Sequence, residues 1–292
     1  MELEVDGQKL CGSLMLPEGE GPHPLVLMHV GSGPTDRDGN SPLISGRNDS
    51  LSMLAKGLCE QGVASVRYDK RGIAASKAAL GSEEGFVIDV LVDDLAAWFV
   101  QLRADARFSR VTLLGHSEGS LIAILVAAER GVDGLISVAG VGRPAGDILR
   151  EQLRGKLPPD LLARAESFIG TLEAGEAIAE EIPAELQSLF RPSVHDYLRA
   201  WFAHDPALEL AKVQARRVAI VQGTTDAQVT VKDAELLAEA HPEATLHVLE
   251  GMNHVLKRAS AAPADQMRAY TDPSIPLHAE LVPLVAAAAK AE

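Results

Sequence analysis

The segment LLGHSEGSLIA, residues 113 to 123, sets Ser117 between Gly115 and Gly119 where an apolar run changes character. A serine hydroxyl is a poor nucleophile at neutral pH, so chemistry there demands a general base and donors for the negative charge that develops. Two later loops offer partners. His254 in LEGMNHVLK and Asp226 in GTTDAQV each follow a strand-like run by a few residues. An imidazole at the first would take the serine proton, and a carboxylate at the second would fix its tautomer. Of the nine histidines, His254 alone combines the right edge of a sheet with the right chain order. His247 lies within a strand, His241 closes a helix, His195 and His204 fall in a strand-free stretch, and His23 precedes the first core strand. His116 is expected to point away from Ser117 across the turn. Asp233, inside a helix, is the weaker alternative to Asp226, which by itself also suits a turn or helix start.

Backbone amides must complete such a site. One is expected from Glu118, which opens the helix behind the serine. The other is expected from Ser32, with Gly31 the neighbour it could slip to, in the small-residue loop VGSGPTDRDGN. A phosphate cradle fits that loop poorly, because no G-K-[ST] follows and Pro34 has no N–H to donate.

The elements that position these residues are legible as alternating runs. VTLLG before Ser117 reads as a buried strand, and SLIAILVAAERG after it as a helix ended at Gly131. ELEVDGQKLCGSLMLP reads as a hairpin turning at Asp6-Gly7. LVLMHV, VASVRY, GLISVAG, RRVAIVQG and TLHVLEG supply further strands. Helices near 49–61 and 87–104, VKDAELLAEAHP, and a closing helix in IPLHAELVPLVAAAAK alternate with them. Strand, helix, strand in this order predicts an α/β fold, a mostly parallel sheet covered on both faces. Residues 143–212 break the pattern with amphipathic, proline-split segments. The expected organisation is a core in two parts, 1–142 and 213–292, with 143–212 as a helical cap insertion. Within it Tyr197, Trp201 and Phe202 could line a substrate pocket, and helical packing explains them as well.

Composition narrows the partners. The chain of 292 residues carries a formal charge of −14 and is 47% hydrophobic, with slightly positive mean hydropathy. That charge argues against nucleic-acid and anionic-membrane surfaces and leaves a small molecule as the expected partner. The oligomeric state is open. No apolar run reaches membrane-spanning length, and MELEVDGQKL lacks the order of a signal peptide, so a cytoplasmic location is expected. Cys11 and Cys59 have no metal-ligand spacing and read as reduced packing residues.

Taken together, GSGPTDRDGN, RYDKRGIAAS, GHSEGS and GMNHVLK resemble the α/β-hydrolase superfamily over essentially the whole chain, and within it bacterial carboxylesterases of the EstD type. The resemblance implies a serine esterase with Ser117, Asp226 and His254 as its triad, no cofactor, no metal, and a cap over an acyl pocket. A thioesterase or peptidase-like hydrolase with the same triad, or a non-catalytic ligand-binding protein of this fold, is the alternative. Two departures stand out. Ala74 occupies a place where relatives carry glycine, so a left-handed backbone there would be strained. Val30-Gly31 replaces the usual histidine-glycine pair. Asp36, Arg37, Asp38, Asp69, Lys70 and Arg71 fall in two loops that this fold brings to one edge. An ion-pair lattice holding the oxyanion loop is the expected role, with recognition of a substrate carboxylate by Arg37 or Arg71 as the alternative.

Overall fold

The computed structural model describes residues 1–291 and is built on an eight-stranded sheet. Its strands are β1 (Glu2–Val5), β2 (Gln8–Met15), β3 (His23–His29), β4 (Ala64–Tyr68), β5 (Phe108–His116), β6 (Gly134–Val138), β7 (Val218–Gly223) and β8 (Thr245–Leu249), in the order β1-β2-β4-β3-β5-β6-β7-β8. Only β1 and β2 run antiparallel to their neighbours. They form the hairpin, turning with Asp6 and Gly7 both at positive φ, 52° and 72°, as the right-handed twist of paired strands requires.

The central strands are buried on both faces, as near-continuous apolar runs must be. On one face α2 (Ile88–Arg103), α3 (Glu118–Arg130), α8 (Pro206–Leu210) and α9 (Val231–Ala240) pack in sequence; on the other lie α1 (Ser50–Glu60) and α11 (Leu281–Lys290). Each face has its own core. Trp98, Leu95, Ile122 and Val126 belong to the first, and Leu54, Leu58, Leu281 and Val285 to the second.

Between β6 and β7 the described chain holds no strand. α4 (Ala145–Leu153), α5 (Pro159–Glu173), α6 (Gln187–Phe190) and α7 (His195–Phe202) gather around a small core of their own that includes Phe168, Ile169, Leu186 and Phe190. Prolines punctuate this segment. Pro159 stands at the start of α5, and Pro206 at the start of α8 behind Asp205, whose side chain caps it.

Two elements depart from the expectation. α11 begins at Leu281, later than the apolar pattern suggests, because the chain before it is held non-helical by a bridge between Leu277 and Lys257 and by the His278 backbone N–H, which donates to the Leu256 carbonyl. A helix α10 (Pro263–Thr271) lies in a stretch without apolar periodicity, with Ala269 as its one buried residue. Cys11 and Cys59 are unpaired and half-buried. No helix among the described residues is long and apolar enough to cross a membrane. Ala74 has φ 43°, a left-handed conformation that costs a side chain with a Cβ about 1 kcal/mol.

Candidate active site

Ser117 sits between β5 and α3 at φ 57°, ψ −124°, outside every region a non-glycine residue adopts comfortably. The surrounding backbone enforces this. The Ser117 N–H donates to the Val138 carbonyl at 3.0 Å, and the Ser120 N–H returns to the Ser117 carbonyl at 2.9 Å. A Cβ on Gly115 would lie 2.1 Å from the Gly119 carbonyl oxygen, and one on Gly119 would lie 2.5 Å from that of Val30. Strand, helix and the β3 loop can cross here only because both positions lack side chains.

Asp226 and His254 converge from the loops after β7 and β8. Those loops are tied to each other: the Thr224 N–H donates to the Leu249 carbonyl, and the Thr225 N–H to that of Met252. His254 Nδ1 donates to Asp226 Oδ2 at 2.8 Å, leaving Nε2 as the free ring nitrogen. Asp226 Oδ1 accepts the Gln228 and Val229 N–H groups at 2.8 and 3.0 Å, and Oδ2 also accepts from Gln222 Nε2 at 3.2 Å. Burial pushes this carboxyl up, but the His254 charge and these donors outweigh it and hold Asp226 below the usual range. It is therefore ionised at neutral pH.

The turn carrying His254 has its own support. Asn253 is fully buried and its Oδ1 accepts the Lys257 N–H at 3.0 Å, while Lys257 Nζ reaches the Asp272 carbonyl at 2.8 Å. Asp233 plays a different part. It completes a capping box with Thr230 on α9 and takes two hydrogen bonds from Arg143, at 2.9 Å each, at the start of the helical segment.

His116 corrects an expectation. Its ring does not turn away; it packs 4.9 Å from the His254 ring, and Nε2 donates to the His254 carbonyl at 2.8 Å. The tight crossing at this strand-to-helix elbow, where β5, α3 and the loop after β3 meet at Ser117, leaves the His116 ring against the loop after β8. Burial first, and the His254 charge second, press the His116 pKa down to about 4. Since this folded value lies below the unfolded 6.5, the unfolded chain takes the proton first as pH falls. The stability present above about pH 6.5 is lost toward pH 4, by up to about 3 kcal/mol. His116→Gln keeps a donor for the His254 carbonyl. Denaturant titrations of this variant are expected to show a flatter loss of stability between pH 6.5 and 4; an unchanged slope would contradict the assignment.

The charged loops separate into four sets. Arg37 donates to Asp69 at 2.6 Å and to Ser13 at 3.1 Å, and Asp69 also accepts the Arg37 and Ala75 N–H groups. Asp38 pairs with Arg67 at 2.8 Å, while Asp36 accepts the N–H groups of Asp38 and Asn40. Arg71 turns instead to Asp94 on α2, at 2.7 Å. Lys70 is buried and directs its ammonium at the carbonyls of Gly31 and Gly33, at 2.5 and 3.0 Å.

A cavity of about 160 Å³ opens beside Ser117 and His254, lined also by Gly31, Ser32, Asn40, Ile44, Val255 and Tyr270. Tyr197, Trp201 and Phe202 do not line it. Tyr197 and Trp201 pack at the α2–α3 core and Phe202 in the core of the helical segment, since their apolar rings find cover there. Tyr197 donates to Glu118 Oε1 at 2.7 Å. The wall is formed by the loop after β3 and by α10, whose Tyr270 hydroxyl accepts from Gln228 Nε2 at 2.5 Å. Sequence reasoning missed Tyr270 because α10 carries no periodic signal. Among the described residues no cluster of His, Cys, Asp or Glu could hold a metal ion.

Residues 44–258 match the family model described as serine aminopeptidase, S33. Over 261 residues the chain is 30% identical to esterase EstD of Thermotoga maritima, a match covering 87% of this chain and 60% of that relative's length. Est1E from Butyrivibrio proteoclasticus, solved with ferulic acid bound, superposes with a TM-score of 0.61 at 18% identity, over 99% of this chain and 96% of its own. The enol-lactonase from Burkholderia xenovorans superposes with a TM-score of 0.55 at 18% identity, over 85% of this chain and 91% of its own. At such identities these two establish a shared fold.

Proposed function

Because the chain belongs to the serine aminopeptidase S33 family and has the α/β-hydrolase fold, we propose that it is a serine carboxylesterase for small, neutral esters. The observation carrying this reading is the convergence of a strained Ser117, a His254 fixed through Nδ1 by Asp226, and a cavity opening between them. In the first step Ser117 Oγ attacks the ester carbonyl and His254 Nε2 takes its proton. The oxyanion settles on the amides of Glu118 and Ser32. The carbon–oxygen bond to the alcohol then breaks, the alcohol takes the proton from His254, and the acyl group remains on Ser117. Water, deprotonated by His254, attacks the acyl-enzyme and releases the acid and the free serine. No cofactor enters either half.

The cavity supports the substrate class. None of its lining residues is Asp, Glu, Lys or Arg. A peptide N-terminus, which an aminopeptidase must hold, would find no carboxylate there, and an acidic substrate would find no cation. Its small volume suits a short acyl or small aromatic group. Within residues 143–212, α4 to α7 are the cap in this reading, joined to the start of α3 through Tyr197 and Glu118, while α8 belongs to the layer that covers the sheet.

The test is a p-nitrophenyl ester series from acetate to palmitate, with a fluorophosphonate probe on the same protein. Activity is expected to peak at short chains and fall by at least tenfold by octanoate, with the probe on Ser117. A protein that cleaves only amino-acid p-nitroanilides, or that the probe fails to label, would refute the reading.

A further inference from the structure

Lys70 is nearly fully buried at 4% exposure, yet takes no part in the ion pairs of Arg37, Arg67 and Arg71 around it. Consecutive residues of an extended chain point to opposite sides, so Asp69 serves the Arg37 lattice while Lys70 faces the β3 loop. Its two hydrogen bonds end on the carbonyl oxygens of Gly31 and Gly33. In a trans peptide the C=O and the N–H point in opposite directions. Drawing the Gly31 carbonyl toward Lys70 therefore turns the Ser32 N–H the other way. A Cβ placed on Gly31 would lie 3.1 Å from the Ser117 Cβ, and Gly31, Ser32 and Ser117 line the same cavity, so this peptide lies against the nucleophile. The second anchored carbonyl precedes Pro34, which has no N–H, so this bond fixes the loop without adding a donor.

We infer that Lys70 is the positioning residue for the oxyanion hole: its ammonium, bonded to the Gly31 and Gly33 carbonyls, presets the Ser32 N–H toward the tetrahedral intermediate. The same bonds select Ser32 over Gly31 as donor. This inference rests on the serine-esterase reading. The groups around Lys70 fit the role. Glu118, whose own N–H is the second donor, is buried with Oε2 unpartnered and Oε1 on the Tyr197 hydroxyl. Burial presses the Lys70 pKa below its ordinary value, and the nearby Glu118 carboxylate opposes that shift. His29, at the end of β3, is kept neutral by burial and by the charge of Lys70, so it does not compete as a second cation. A positive end close behind the Gly31–Ser32 peptide also polarises it, which makes the Ser32 N–H a stronger donor as charge develops.

The experiment compares wild type, Lys70→Met and Lys70→Arg on p-nitrophenyl acetate, and measures their inhibition by a trifluoromethyl ketone, whose serine adduct carries an oxyanion. Lys70→Met is expected to lose about 10²-fold in kcat, the scale of one oxyanion donor, with KM within about threefold. Inhibitor affinity should fall in parallel, the pH profile of kcat should keep its shape, and Lys70→Arg should recover part of the loss. If Lys70→Met does not fold, Lys70→Gln, with a neutral donor, carries the same comparison. An active wild type with a Lys70 variant whose kcat is unchanged, or whose loss lies in KM alone, overturns the inference. A wild type that neither hydrolyses esters nor is labelled by the fluorophosphonate overturns the esterase reading instead.

Discussion

Ser117→Ala is expected to lower kcat on p-nitrophenyl acetate by about 10⁶-fold while leaving the fold intact. On the proposed mechanism, loss of the Ser117 hydroxyl abolishes covalent catalysis, and what remains is the smaller acceleration from binding and preset donors. The variant also separates chemistry from strain. Alanine at φ 57° keeps the steric cost of the elbow, so the thermal midpoint should move little. Ser117→Gly should be equally inactive yet more stable by about 1 kcal/mol, because glycine accepts that conformation. Rates within tenfold of wild type in Ser117→Ala would remove Ser117 from the mechanism. A destabilised glycine variant would mean that the elbow is not under strain.

The second large effect is expected at Asp226, with Asp233 as its counterpart. Asp226→Asn should cost about 10⁴-fold in kcat, because an amide no longer holds the Nδ1-protonated tautomer that leaves His254 Nε2 free to accept. Stability should change less, since Oδ1 still accepts the Gln228 and Val229 N–H groups. Asp233→Asn should do the reverse. It breaks the paired charge with Arg143 and weakens the cap of α9, costing roughly 3 kcal/mol, while kcat stays near wild type. Steady-state kinetics and denaturant melts on both variants decide the matter. A fall in kcat for Asp233→Asn, with Asp226→Asn unaffected, would exchange the two roles.

Much of the fold was legible because it is written in short, regular signals. The Asp6-Gly7 turn, the apolar strands and the helices that separate them lead to the strand order that brings residues 117, 226 and 254 to one edge. Their convergence follows from the rule that loops at the carboxyl ends of parallel strands face one crevice. The fine placement was less legible. Whether the His116 ring faces the His254 loop depends on a crossing of backbone that periodicity does not describe. Lys70 and Arg71 are adjacent cations in the sequence, yet one seeks two carbonyls and the other Asp94 on α2; residue type does not distinguish them. The cavity wall was misplaced for a related reason. The aromatic residues of α7 suit a pocket lining and helical packing equally by type, and packing prevails, Tyr197 and Trp201 against the α2–α3 core and Phe202 within the helical segment. Tyr270 sits on a polar helix whose pattern carries no such signal.

The loop after β3 forms much of that wall without regular secondary structure. Asn40 Oδ1 accepts the Asn48 and Asp49 N–H groups, Asn48 Oδ1 accepts that of Ser50, and Asp36 accepts those of Asp38 and Asn40. Side chains here do what a neighbouring strand does in a sheet, so each of these positions is committed to the shape of the backbone. Ile44 and Val255, with Tyr270 opposite, line the cavity through side chains that hold no loop amide. A change in the shape of this cavity is thus channelled through those three side chains, because the polar side chains of the loop are already committed to its backbone.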